Sequence, residues 1–175
     1  AGEKQSKLFH ARELAQGSPA AMLAAGTRHR RSDEVGPEHV TITNNHDLYE
    51  CFPDVTLTQT GRLVVVYRES DSHGASAFTH LVWRISDDAG LTWSDRRYLV
   101  RAERGADDVL QKWNCPRVTT LRDGRVIIVC DRYPQPPGET YGDVPPVVYL
   151  WFSTDDAESF EGPAFTPVEG IVPER

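Results

Sequence analysis

Two short, unbroken apolar runs of the chain occur in the same setting. Leu63-Val64-Val65-Val66-Tyr67 and Val126-Ile127-Ile128-Val129-Cys130 each follow a glycine turn, Thr60-Gly61-Arg62 and Asp123-Gly124-Arg125. Brief runs rich in β-branched residues and bounded by turn signals predict strands. Because they are continuously apolar rather than alternating, they suit the middle of a sheet covered on both faces. Ahead of each turn lies a second strand-like stretch, opening Phe52-Pro53-Asp54-Val55 in the first case and Cys115-Pro116-Arg117-Val118 in the second. Each pair therefore predicts a β-hairpin. Reading the turns as two residues long sets Pro53 opposite Arg68 and Pro116 opposite Asp131. A proline without an N–H fits a strand start or a sheet edge, so these stretches are expected to open the innermost strands.

The two hairpins are copies of one unit, offset by 63 positions from Pro53 to Pro116. A second motif recurs beside them. Ser86-Asp87-Asp88-Ala89-Gly90-Leu91-Thr92-Trp93 has the form S-x-D-x-G-x-T-W, and Ser153-Thr154-Asp155-Asp156-Ala157-Glu158-Ser159-Phe160 keeps its Ser and Asp. An aspartate in a tight turn accepts nearby backbone N–H groups, and glycine supplies a positive φ there. The Trp of the motif is expected to bury its ring against a neighbouring sheet. Phe78–Ile85 and Val147–Phe152 read as third strands, with fourth strands after each motif. The result is a four-stranded antiparallel unit of about 65 residues, a propeller-blade size. The expected organisation is a partly helical lead-in over 1–40, blade one over 41–110, blade two over 111–169 and the opening of a third blade over 170–175. Within the lead-in, Lys7–Gln16 reads as a short helix, and Ser18-Pro19 as a cap before Ala20–Ala25. Two blades cannot close a ring, so the chain is expected to belong to a longer propeller and to need its remaining blades as partners.

Composition narrows the function classes. A net charge of −7 argues against a nucleic-acid partner or an anionic membrane surface. No apolar run approaches the ~18 residues of a bilayer span. Ala1 is not an initiator Met, and no basic-then-apolar signal segment follows it, which leaves localisation undetermined. Three cysteines at irregular spacing make neither a disulfide framework nor a zinc signature, and the six histidines show no ligand pairing. No metal and no cofactor is expected.

Chemistry concentrates where the first strand begins, the second ends and the loop to the third runs; the S-x-D motifs belong at the opposite end. Blade one brings Glu50, Asp54, Arg68, Glu69, Asp71 and His73 there, and blade two brings Asn114, Arg117, Asp131 and Arg132. Guanidinium groups hold carboxylates in a bidentate fork, and a positioned carboxyl or imidazole can move protons. The ordinary reading of such groups is a solvated, salt-bridged rim. Arg68-Glu69-Ser70-Asp71-Ser72-His73-Gly74 stands apart, because it follows a buried strand directly and is dense in function-capable side chains.

The motifs at Ser86, Asp88, Gly90, Thr92 and Trp93, and again at Ser153 and Asp155, resemble the structural Asp boxes of the sialidase superfamily, over about residues 46–175. The resemblance implies an all-β six-bladed propeller and an exo-acting glycoside hydrolase working on a terminal sugar of a glycan, acidic sugars included. It makes Asp71 the nearest candidate for the acid/base carboxyl, with His73 its competitor. Arg68, Glu69, Asp54, Arg117, Asp131 and Arg132 become candidates for holding substrate. The family opens such a blade with Arg-Ile-Pro, where this chain has Cys51-Phe52-Pro53, so one guanidinium of the family's carboxylate-binding triad is replaced by a thiol. The family's tyrosine nucleophile and its partner glutamate come from later blades. The alternative reading is a non-catalytic Asp-box propeller that binds carbohydrate or protein at the same face.

Overall fold

The structure is a computed structural model that describes residues 39–139 and 144–165. The expected helices before residue 38 and the 170–175 segment lie outside those residues. The rest is all-β. β1 (Tyr49–Leu57), β2 (Leu63–Ser70), β3 (Phe78–Ser86) and β4 (Arg97–Glu103) form one antiparallel sheet in that order. β5 (Leu110–Trp113), β6 (Arg117–Thr120), β7 (Val126–Gln135), β8 (Val147–Ser153) and β9 (Glu161–Phe165) form the second. Its order is β5-β7-β8-β9, with β6 also paired to β7. The innermost position of the second sheet is thus shared by two short strands, interrupted around Pro116, where no ladder N–H exists.

The hairpin register differs from the two-residue reading. Thr58 N–H donates to Arg62 O and Gly61 N–H to Thr58 O, which leaves a three-residue loop with Gly61 at φ 91°. Leu121, Arg125 and Gly124 repeat this pattern, with Gly124 at φ 90°. A glycine in that region is what a three-residue hairpin demands. A bulge then follows near Phe52, whose φ is 52°, and it brings Cys51 rather than Pro53 opposite Arg68. In sheet two, Asn114 rather than Pro116 meets Asp131, its N–H donating to Asp131 O at 3.1 Å. Loop length and bulge together move the pairing from proline to its neighbour two positions back.

The sheets pack face to face, as adjacent propeller blades do. Val64, Val66, Leu81, Trp83 and Ile85 of sheet one meet Trp113, Val118, Val126, Ile128, Cys130 and Trp151 of sheet two in one core. Trp113 and Trp151 lie 5.2 Å apart. The polar parts of this interface are also paired: Thr56 Oγ1 and Thr120 Oγ1 lie 3.1 Å apart, and Asp54 accepts Val118 N–H at 3.0 Å. The other face of sheet one carries Val65, Tyr67, Glu69 and Val82, all buried. The segment 39–48 lies on that side, with Thr43 hydroxyl donating to Glu50.

Both S-x-D turns sit at the end of the β1–β2 and β6–β7 loops. In each, the serine hydroxyl accepts the N–H four residues on (Gly90 or Ala157), and the aspartate holds Thr92 or Ser159 through both hydroxyl and N–H. Ala157 takes φ 64° where Gly90 takes 86°, so an alanine serves at the glycine position, with a strain of about 1–2 kcal/mol. The ring at the end of each turn does not behave alike. Phe160 packs edge-on against Trp83 of the other sheet, whereas Trp93 is half-buried and donates back to Gly90 O of its own turn. The loop of sheet one grips the turn of sheet two: Thr60 hydroxyl donates to Asp156, and Arg62 reaches Asp156 O and Glu158 while pairing with Asp87. The corresponding Arg125 of sheet two pairs only with Asp123 of its own loop among the described residues.

Candidate functional site

At the opposite end of the sheets, β2 runs out through Arg68, Glu69 and Ser70 into a small-residue loop, Asp71–Ala77. The loop is tied by its own polar groups. Ser70 hydroxyl donates to Ser72 O, Ser72 hydroxyl to Ala75 O, and Ala77 N–H to the Asp71 carboxylate at 3.0 Å. This leaves Asp71 and His73 exposed to solvent. The His73 ring stands 5.6 Å from Tyr49 and 5.7 Å from Phe52, so the bulged β1 residue also supports the imidazole.

Beneath them lies a buried layer of positive charge. Arg68 is 0% exposed, with its guanidinium 4.9 Å from the Phe52 ring centre. It donates to Asn114 Oδ1 and to His73 O, both at 3.3 Å, and its Nε has no hydrogen-bond partner among the described residues. Asn114 passes the contact on to Asp131, whose other oxygen takes Cys115 N–H. Lys112, 1% exposed, directs its ammonium at the carbonyls of His73 and Gly74. Burial first, and the neighbouring Arg68 second, pull its pKa down to about 8. Among the described residues neither Arg68 nor Lys112 has a carboxylate within ion-pair distance. Two such cations are costly to bury side by side. Burial and Asp131 push the Cys115 thiol up, and burial pushes that of Cys130 well up, so neither supplies a ready thiolate.

The other sequence candidates are distributed differently. Glu69 points to the far side of β2, opposite Glu50, and pairs with Arg96 at 3.2 Å. Burial, followed by weaker effects that include repulsion from Glu69, raises the Glu50 pKa. Asp54 spends its oxygens on the N–H groups of Val55 and Val118, bridging the sheets. Arg117 is exposed on β6, paired with Val129 in the ladder. Arg132 lies over the rings of Tyr149 and Trp113, at 4.6 and 5.6 Å, and so belongs to the far edge of the core. Asp71, His73, Arg68 and, through Asn114, Asp131 are therefore brought together; Glu69, Asp54, Arg117 and Arg132 are not.

Lys112 and Gln135 belong to this end and escaped the sequence reading. Lys112 sits at the repeat position of Tyr49, in a strand too short for its parity to show which face it occupies. An open groove of about 540 Å³ lies elsewhere, on the far side of sheet one, lined by Ile42–Asn45, Arg84, Asp95 and Arg96. Among the described residues no group of three or more His, Cys, Asp or Glu could hold a metal, and no helix is long and apolar enough to cross a membrane.

No family model matches the chain, and no curated protein matches it. Solved structures do. A protein of unknown function from Dyadobacter fermentans aligns over 72% of this chain and 38% of its own, with TM-score 0.55 and 20% identity. A Hadza microbial sialidase aligns over 65% of this chain and 24% of its own, with TM-score 0.44 and 20% identity. The chain thus spans well under half the length of both structures. At this identity the likeness speaks for the fold alone.

Proposed function

We propose that this chain forms two blades of a sialidase-like, Asp-box propeller glycoside hydrolase that removes a terminal acidic sugar from a glycan. The observation that carries the reading is the pairing of an exposed Asp71–His73 loop with the buried, carboxylate-free cations Arg68 and Lys112 below it. Asp71 is the proton-transfer group, His73 its alternate, and Arg68 supplies the positive potential that holds the anionic sugar. Asn114 and Asp131 orient Arg68, and further blades provide the nucleophile. Turnover by the full-length protein on fluorogenic glycosides of acidic and neutral sugars tests this. Release from the acidic set, lowered by about 10² or more in Asp71→Ala, is the expected outcome. Absence of turnover on every glycoside, or an unchanged Asp71→Ala enzyme, refutes it.

A second reading has its own observation. Cys51 faces Arg68 across the ladder at the position where the resemblance calls for a first arginine. A glycan- or protein-binding propeller without hydrolysis fits that loss, and binding without turnover in the same screen would select it.

A further inference from the structure

The loop that carries Asp71 and His73 belongs to sheet one, yet much of what holds it comes from sheet two and the strand leading there. Gln135, fully buried on β7, accepts Ser76 N–H at 3.0 Å and donates to Gly74 O at 3.2 Å. Arg104, just beyond β4, donates to Ser76 O at 2.8 Å and to Gln135 O at 3.3 Å. Lys112 on β5 donates to Gly74 O and His73 O, with the Tyr133 ring 5.9 Å from its nitrogen. The charged and titratable groups around that ammonium are Arg68 on β2, Asp71 in the loop, Cys51 on β1 and Cys115 beyond β5. An apolar side chain would fill this position without the cost of a buried charge beside a second cation. The ammonium instead supplies several donors to adjacent carbonyls of one turn.

We infer that Lys112 is a positioning residue, which fixes the His73–Gly74 turn from the neighbouring sheet and thereby sets where Asp71 and His73 stand. The inference rests on the proposed site for its functional meaning, but its test reads loop order rather than turnover, so the two can fail separately. Blade two is then a condition for the site in blade one. The inference concerns hydrogen bonds to two named carbonyls, and a general packing role would not reproduce its signature.

The test is site-resolved amide exchange by NMR on wild-type, Lys112→Met and Lys112→Arg chains, following Ser76 and Ala77 against Val64–Val66 of the core strand. Lys112→Met is expected to speed exchange at Ser76 and Ala77 by about tenfold or more, the size of one lost charged hydrogen bond, with the core amides unmoved. Lys112→Arg is expected to restore most of the protection, since it keeps the donors. Unchanged loop exchange in Lys112→Met, or equal acceleration of loop and core, overturns the inference. If Lys112→Met does not fold, the wild-type chain still decides. The carbonyl ¹³C resonances of His73 and Gly74 should titrate together with the Lys112 side chain, and carbonyls that ignore that titration refute the contact.

Discussion

Replacing Lys112 by methionine should make the stability of this fold respond differently to alkali. The folded ammonium is held at about 8, down from 10.5, chiefly because burial strips its water and secondly because Arg68 repels it. Between those two values the unfolded chain binds more protons than the folded one, so wild-type stability rises with pH across that window. The penalty of burying the charge is fully present below pH 8 and has gone above 10.5. At about 1.4 kcal/mol per pH unit the whole effect is about 3 kcal/mol. Methionine has nearly the same length and no charge, so its variant lacks this term. Urea denaturation of both proteins from about pH 7 to about pH 10 gives the stability difference at each pH. The wild type should gain on the variant by most of that 3 kcal/mol as pH rises, whatever the offset at neutral pH. A difference that stays constant over the range would show that the amine titrates as if solvated, and the buried cation layer described above would be wrong.

Two further outcomes are expected. Asp88 and Asp155 are each held at about 2, first by the hydroxyl and then by the N–H of Thr92 and Ser159 respectively. Their stabilisation is therefore present above the ordinary value of 3.8 and lost as pH falls through about 2. Asp88→Asn should lower stability at neutral pH and converge with wild type near pH 2, as read by denaturant titration at the two pH values. On the face of sheet two turned away from sheet one, Ile127, Val129, Val148, Leu150 and Phe152 are only partly buried. By the repeat they correspond to Val64, Val66, Leu81, Trp83 and Ile85, which sheet two covers. The chain alone should self-associate through this face, and Leu150→Lys should reduce that association in sedimentation velocity; a wild-type chain that stays monomeric at high concentration would refute it.

Local signals carried the architecture into the sequence. The Val64–Val66 run is unbroken because both its faces are covered, the Ile127–Val129 run repeats it with only the Ile128 face covered among the described residues, and Gly61 and Gly124 mark loops that need positive φ. Register was less legible, since the bulge at Phe52 has no side-chain signature: a phenylalanine at φ 52° is held there by its surroundings. That bulge decides that Cys51, not Pro53, meets Arg68, and a one-residue register shift between β5 and β6 along β7 brings Asn114, not Pro116, to Asp131. The loop of Asp71 and His73 stood out by density of polar groups after a buried strand. Glu69, one residue from Arg68, could not be separated from it until strand parity and register were fixed together. Lys112 and Gln135 lie far from that loop in sequence, and their meeting with it is a property of sheet packing alone.

The grip of the Thr60–Arg62 loop on the Asp156–Glu158 turn is one-directional, since donor and receiver are different surfaces. Such a contact is heterologous: it ends only by closing on itself or by running out of receivers. The 39–48 segment lies against the other face of sheet one, while sheet two presents Arg125 and its apolar face with no receiver among the described residues. In the language of polymerisation, sheet two is a live end: a unit that docks there needs a turn able to receive Arg125 as the Asp156–Glu158 turn receives Arg62.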